Sequence, residues 1–167
     1  MFSFPKTVLA HCDIPCKVYD PAVAQVSALS VVRLIDLIVE LENPVSLAGA
    51  AQLSRLVTEK ETQAKIVKSE VNTIWGDYFK EPQIAAYPGV HALVHGLMQT
   101  ASACKQGVDR NTGERLVTQL NLFTEMFWQS KGIETKMAVA PYPPALSVCM
   151  PVLKSCLLYT SPSPRDS

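Results

Sequence analysis

The chain has 167 residues, a formal net charge of zero, 48% hydrophobic residues and only 18% charged residues. This composition is typical of one globular domain, and a neutral chain gives no electrostatic reason to expect binding to nucleic acid or to an anionic membrane. The low charge predicts that other subunits cover part of the apolar surface.

The N-terminal segment, Met1 to Ala10, is too short and too poor in positive charge for a secretory signal. No stretch has the length expected of a transmembrane helix. The five cysteines are an odd number, so they do not form the paired disulfide framework of a small secreted protein. These features predict a reducing, cytoplasmic compartment.

Residues 11–16, with the sequence HCDIPC, concentrate the metal-binding capacity of the chain. If the chain were cut immediately before His11, the new α-amine, the amide nitrogen and thiolate of Cys12, and the thiolate of Cys16 would form a planar donor set. Ni(II) and Cu(II) favour such a set, whereas zinc prefers tetrahedral ligands. Pro15 would bend the loop to bring the second thiolate in. By spacing alone, a disulfide, a partial zinc site or two unrelated cysteines are more common.

Four amphipathic helices joined by short links predict an all-α fold, an antiparallel up-down-up-down four-helix bundle over residues 21–132. The predicted helices are about 21–42, with Asp20 as cap; 46–79, with Ser46 as cap; one from Pro88 whose apolar stripe ends at Cys104; and one that ends near Ser130. Lys60 interrupts the apolar seam of the second helix. His91 and His95, four residues apart on the third, are predicted to be solvated or hydrogen-bonded rather than metal ligands.

Residues 133–167 are predicted to be an extended or disordered tail. The stretch Ala138 to Pro144 is expected to lie extended on the bundle or on a neighbouring subunit. The last dozen residues, Cys156 to Ser167, resemble translated cloning sequence, so no function is assigned to Cys149 or Cys156.

The run from His11 to Pro21 resembles the nickel-binding hook of the nickel superoxide dismutase family. Trp75 to Lys80, with the sequence WGDYFK, is similar to a second signature of that family. Other family-like residues follow in the expected order: Tyr87, Pro88, His91, Phe127, Trp128 and Lys131. The resemblance covers roughly residues 11–132.

This resemblance implies a nickel ion held by His11, Cys12 and Cys16, with the imidazole in an axial position and with Asp13 and Pro15 supporting the geometry of a hook over residues 11–20. It implies an enzyme that converts superoxide to oxygen and hydrogen peroxide through a Ni(III)/Ni(II) cycle. A leader, residues 1–10, would be removed by a maturation peptidase.

The resemblance also assigns catalytic roles to Tyr19 and Tyr78, which would line the approach to the metal without ligating it. Lys80 would attract the substrate anion. The family further implies a closed homohexamer, in which a neighbouring subunit helps to hold the hook.

One departure from the family concerns the axial imidazole. The resemblance implies that a glutamate on the first helix and an arginine on the second orient it, but Ser27 and Gln63 occupy the aligned positions. Because such partners tune the redox behaviour of a metal ligand, two alternatives stay open. One is a non-catalytic nickel- or copper-binding helical bundle, and the other is a thiol redox protein that uses Cys12 and Cys16 without metal.

Overall fold

The computed structural model describes residues 17–153. The predictions for the leader, for the metal ligands in residues 11–16 and for the last dozen residues therefore lie outside the described residues. Within residues 17–153 the elements are α1 Ala22–Val39, α2 Leu47–Thr73, a π-helical turn Ile74–Tyr78, α3 Glu81–Ala86, α4 Val90–Gln106, α5 Arg110–Ser130, β1 Thr135–Val139 and β2 Ser147–Pro151.

The four long helices, α1, α2, α4 and α5, form the predicted bundle. Helix α1 packs against α2 and α5, and α4 packs against the same two helices. Each helix therefore contacts the helices before and after it in the bundle, as an up-down-up-down order requires. The core consists of aliphatic and aromatic side chains that solvent hardly reaches, among them Val31, Ile35, Leu97, Leu116, Leu120, Phe123 and Phe127. The all-α prediction is confirmed.

Polar side chains fix the first turns of three of these helices. The Asp20 carboxylate accepts a hydrogen bond from the Ala22 amide at 2.8 Å. The Ser46 hydroxyl accepts one from the Gly49 amide at 3.0 Å. Asp109 accepts from the amides of Asn111 and Thr112 in the first turn of α5. Such bonds satisfy amides that have no partner within their own helix, so the caps predicted at Asp20 and Ser46 are present.

Helix α1 ends at Val39, short of the predicted end near Glu42. It is also the one helix within the described residues that is long and apolar enough to cross a membrane, although no such stretch was expected. The side chains of Ala28, Val32 and Ile35 are completely buried. Because α1 packs on two other helices, its apolar composition is that of a core helix.

A β-hairpin follows the bundle where an extended or disordered tail was predicted. Strands β1 and β2 pair antiparallel, from Thr135 opposite Pro151 to Val139 opposite Ser147. The connection contains a cis peptide bond between Pro143 and Pro144. Five-residue strands give little periodic signal, and the prolines of the connection made the segment resemble a linker. The hairpin packs on α5, so the ordered fold extends beyond the predicted bundle.

Lys60 is an exception to the apolar core because its side chain is only 1% exposed. Its ammonium group donates hydrogen bonds to three carbonyls at the end of α4: Cys104, Lys105 at 2.9 Å and Gly107 at 2.7 Å. These carbonyls lack partners within their helix, and the C-terminus of a helix attracts cations. Burial lowers the pKa of Lys60. The lysine that interrupts the seam of α2 thus caps α4.

We expect Lys60→Met to reduce the free energy of unfolding by about 2 kcal/mol, because it leaves buried carbonyls at the end of α4 without donors. Urea unfolding followed by circular dichroism measures this change. Lys65→Met, on the exposed surface of the same helix, should change stability by less than about 0.5 kcal/mol. Equal urea midpoints for the two variants would contradict the capping role.

Candidate metal centre

The predicted metal ligands can be tested by their chemistry. Within residues 17–153, no group of three or more His, Cys, Asp or Glu side chains is arranged to hold a metal ion. The imidazole and the two thiols of residues 11–16 are nitrogen and sulfur donors of the kind that nickel prefers. This donor set fits nickel, and His11, Cys12 and Cys16 remain its predicted ligands.

The chain leaves residues 11–16 through a bend. Lys17 has a φ of 59°, which is uncommon for a residue with a side chain and turns the backbone sharply. Two residues later, Tyr19 is half-buried and packs on the core. Its ring centroid lies 6.0 Å from that of Tyr78. The structure therefore brings together the two tyrosines that the sequence analysis assigned to the site.

Tyr78 reaches this position from the π-helical turn that ends α2, where the sequence analysis predicted a continuous α-helix to Phe79. A π-turn accommodates one extra residue per turn and often occurs at functional sites. The ring of Tyr78 packs edge-on against those of Phe79, at 5.3 Å, and Phe127, at 4.9 Å between centroids. The turn thus directs Tyr78 towards the end of α5.

The hydroxyl of Tyr78 lies 2.8 Å from the hydroxyl oxygen of Ser130. Ser130 donates its own proton to the Phe127 carbonyl, at 2.6 Å. Because serine has a single O–H to donate, Tyr78 must be the donor in its bond with Ser130. The lone pairs of the Tyr78 oxygen therefore remain available to accept a hydrogen bond from a water molecule.

Lys131 places a positive charge beside the same tyrosine. Its ammonium nitrogen lies 4.7 Å from the centroid of the Tyr78 ring and 4.9 Å from that of Phe127. These distances are typical of cation–π contacts. The sequence analysis named Lys131 only as a family-like residue, and it assigned no role to Lys131 or to Ser130.

Lys80, which the family resemblance predicts to attract the substrate anion, also makes a hydrogen bond to the π-helical turn. Its ammonium group donates a hydrogen bond to the Gly76 carbonyl at 2.8 Å, at the exposed end of the π-helical turn. The lysine therefore stabilises the turn that carries Tyr78.

The same turn also contacts α4. The indole N–H of Trp75 donates to Nδ1 of His91 at 3.0 Å, so His91 is hydrogen-bonded, as expected.

The two positions that depart from the family pattern, Ser27 and Gln63, carry uncharged side chains whose surroundings differ. Ser27 is buried, with 4% of its surface exposed. Gln63 donates to the Glu59 carboxylate on its own helix at 2.7 Å. No charged pair stands at these positions.

The two cysteines among the described residues, Cys104 and Cys149, are buried and unpaired. Burial raises the pKa of Cys104 to about 11 and also raises the pKa of Cys149. Both thiols therefore stay protonated at neutral pH, which makes them poor nucleophiles and poor metal ligands.

Known proteins resemble the chain over the hook and the bundle. A family described as nickel-containing superoxide dismutase matches residues 6–131. The superoxide dismutase [Ni] of Streptomyces coelicolor (strain ATCC BAA-471 / A3(2) / M145) is 34% identical over 131 residues, which cover 78% of this chain and 95% of that protein. The enzyme of the same name from Streptomyces seoulensis is 33% identical over 134 residues, with the same coverage.

Solved structures agree with these sequence matches. The native nickel superoxide dismutase structure aligns with a TM-score of 0.67 and 34% identity, over 73% of this chain and 99% of that chain. A structure whose nickel ligation corresponds to the oxidized state aligns with a TM-score of 0.66 and 33% identity, with the same coverage. The matched family spans three quarters of this chain, its hook and its four long helices, and the protein therefore belongs to the nickel-containing superoxide dismutases.

Proposed function

We propose that this protein is a nickel-dependent superoxide dismutase. The reaction consumes two superoxide anions and two protons and yields one molecule of oxygen and one of hydrogen peroxide. The observation that carries the proposal is the HCDIPC donor set at residues 11–16, which lies inside the matched family region. When bound there, nickel supplies the one-electron exchange that the reaction needs.

The described residues serve the substrate rather than the electron transfer. Tyr19 follows residues 11–16 closely in the chain, and its ring lies 6.0 Å from that of Tyr78 between centroids. The hydroxyl of Tyr78 is oriented by Ser130 and can order a water molecule or an incoming anion. The reaction needs two protons, and ordered water beside a hydroxyl is a suitable route for them.

Lys131 supports the approach of the substrate. Its ammonium group stands over the Tyr78 ring, so it sets a positive potential beside the tyrosine that we propose lines the entrance to the metal. A cation at an entrance raises the encounter rate of a small anion, and dissolved salt screens this effect.

Assembly, processing and location complete the proposal. Exposed Val23 and Val26 on α1 offer an apolar surface for other subunits, which supports a homohexamer of the family type. A maturation peptidase would remove residues 1–10, since only then does His11 carry an amine. The protein would act in the cytoplasm.

The N-terminal amine gives the sharpest test of this function. We expect a nickel-loaded protein that begins at His11 to accelerate superoxide loss, and proteins that begin at Met1 or Ala10 to be inactive. An amide nitrogen has no basic lone pair for the metal, and an added Ala10 shifts every chelate ring by one residue. Pulse radiolysis measures the rates, and nickel content per chain is the control.

Comparable activity in all three proteins would show that the amine is not a ligand. A protein starting at His11 that binds nickel, never oxidises it by electron paramagnetic resonance and leaves superoxide untouched would instead be a non-catalytic nickel-binding bundle. Activity that persists with a nickel chelator would indicate thiol chemistry at Cys12 and Cys16.

We expect Tyr78→Phe and Ser130→Ala to be coupled, because each removes the same hydrogen bond. A double-mutant cycle on urea unfolding should give a coupling energy of about 1 kcal/mol. Both variants should lower kcat/KM, since Tyr78→Phe removes the Tyr78 hydroxyl and Ser130→Ala releases it from its position. Ser69→Ala, exposed on α2, is the control, and strictly additive effects would contradict the arrangement.

We expect Lys131→Gln to lower kcat/KM about twofold to fivefold at low ionic strength and to weaken its salt dependence, because the variant removes a charge from the entrance. Lys65→Gln removes an equal charge from the exposed surface of α2 and should leave both quantities nearly unchanged. Identical salt dependence for the two variants would exclude a steering role for Lys131.

A further inference from the structure

The C-terminal hairpin lies beyond the matched family region, which ends at residue 131, and its two edges differ. In an antiparallel pair, the backbone groups of alternate residues point towards the other strand, and those of the residues between point away from it. The Ala140 amide donates to the Leu146 carbonyl, and the Val152 amide donates to the Glu134 carbonyl. The backbone N–H and C=O groups of the even-numbered residues therefore point towards the other strand. The odd-numbered residues of both strands present their N–H and C=O groups to the outer edges.

The outer edge of β2 is closed by side chains of the bundle. Asn121 donates to the Ser147 carbonyl at 2.8 Å and accepts from the Cys149 amide at 2.9 Å. Gln25, only 8% exposed, donates to the Cys149 carbonyl at 2.7 Å. The next outward residue, Pro151, has no N–H. Two amide side chains and a proline thus occupy the edge where a third strand would pair.

The outer edge of β1 is open. Thr135, Met137 and Val139 present their backbone groups outward, and no hydrogen bond from another described residue reaches those groups. Met137 is 57% exposed and Val139 is 64% exposed. Native proteins usually cover or block such an edge because it recruits strands from other chains.

The open edge has defined ends. On one side, the Ile133 amide is already used by the Trp128 carbonyl. On the other side, Pro141 has no N–H. Ile133 and Pro141 are the same number of residues away from Met137. A strand that pairs with this edge therefore finds free, outward-pointing backbone N–H donors only at Thr135, Met137 and Val139.

We propose that β1 pairs antiparallel with β1 of a second copy of this chain, about a two-fold axis at Met137. In this register, Thr135 lies opposite the partner's Val139, and Met137 lies opposite the partner's Met137. Ile133 and Pro141, neither of which has a free donor, fall opposite each other. The pairing forms about six backbone hydrogen bonds between the chains, because each of three residue pairs exchanges two.

Side chains fit the same register. Lys136 lies opposite the partner's Ala138, so no charge directly faces a like charge, which would destabilise the pair. Methionine, valine and threonine face one another across the axis, and branched side chains favour strands. The two hairpins then form one four-stranded sheet.

The contact is small. Five paired residues bury less than the area of about 1,200 Å² that stable interfaces need, so this contact adds to the bundle assembly or forms a weak dimer.

Two double variants test the register with matched changes. Thr135→Lys with Val139→Lys places lysine opposite lysine at two positions in the sheet. Thr135→Glu with Val139→Lys places glutamate opposite lysine at the same positions. We expect the first to raise the dissociation constant of the contact by about tenfold or more, and the second to keep it near that of the wild type. Sedimentation velocity over a concentration series measures both, and equal constants would overturn the proposal.

Hydrogen exchange supplies a second measurement on the unaltered protein. The amides of Met137 and Val139 should become more protected as protein concentration rises, whereas the Ala138 amide, which faces β2, should be protected at all concentrations. Protection of Met137 that does not depend on concentration would mean that another segment of the same chain covers the edge. An absence of protection would mean that the edge stays in water. Either result overturns pairing between copies.

Discussion

The predicted nickel hook is too short to have a core of its own, and this constraint governs the rest of the structure. A segment as short as residues 11–20 cannot bury enough apolar surface to offset the entropy of fixing its backbone. Its shape must come from what it rests on. Tyr19, near the end of the hook, packs beside Tyr78. Tyr78 is in turn held by Ser130 and by the rings of Phe79 and Phe127. The end of the bundle is thus the rigid element on which the ligands depend.

Hydrogen bonds from polar side chains hold the helices and the hairpin together. Lys60 connects α2 to the end of α4, and Gln25 and Asn121 connect the first turns of α1 and the middle of α5 to the hairpin. Lys60 and Gln25 donate to carbonyls of buried cysteines, which would otherwise lack partners. Apolar packing alone allows helices to slide along one another with little loss, whereas these bonds specify a single register.

Much of this arrangement could be predicted from the sequence. The helices of the bundle could be predicted because helix caps, such as Asp20 and Ser46, and apolar periodicity are local signals in the sequence. The pairing of Tyr19 with Tyr78 followed from the family resemblance. The cation–π contact of Lys131 could not be predicted in this way, because it depends on where α5 ends relative to the π-helical turn. Lys60 could be flagged as an exception to the pattern, but its acceptors lie more than forty residues away. The hairpin gave too short a signal to be recognised.

The π-helical turn at Ile74–Tyr78 makes the length of this segment as important as its composition. Each residue of an α-helix turns the chain by about 100°, so one residue fewer before Tyr78 would swing its ring away from Ser130 and towards another face. Insertions and deletions are tolerated in exposed connections such as the one between α1 and α2. Within the π-helical turn, we expect insertions and deletions not to be tolerated, even where every remaining side chain is kept. Among related chains, we expect this segment to keep its number of residues.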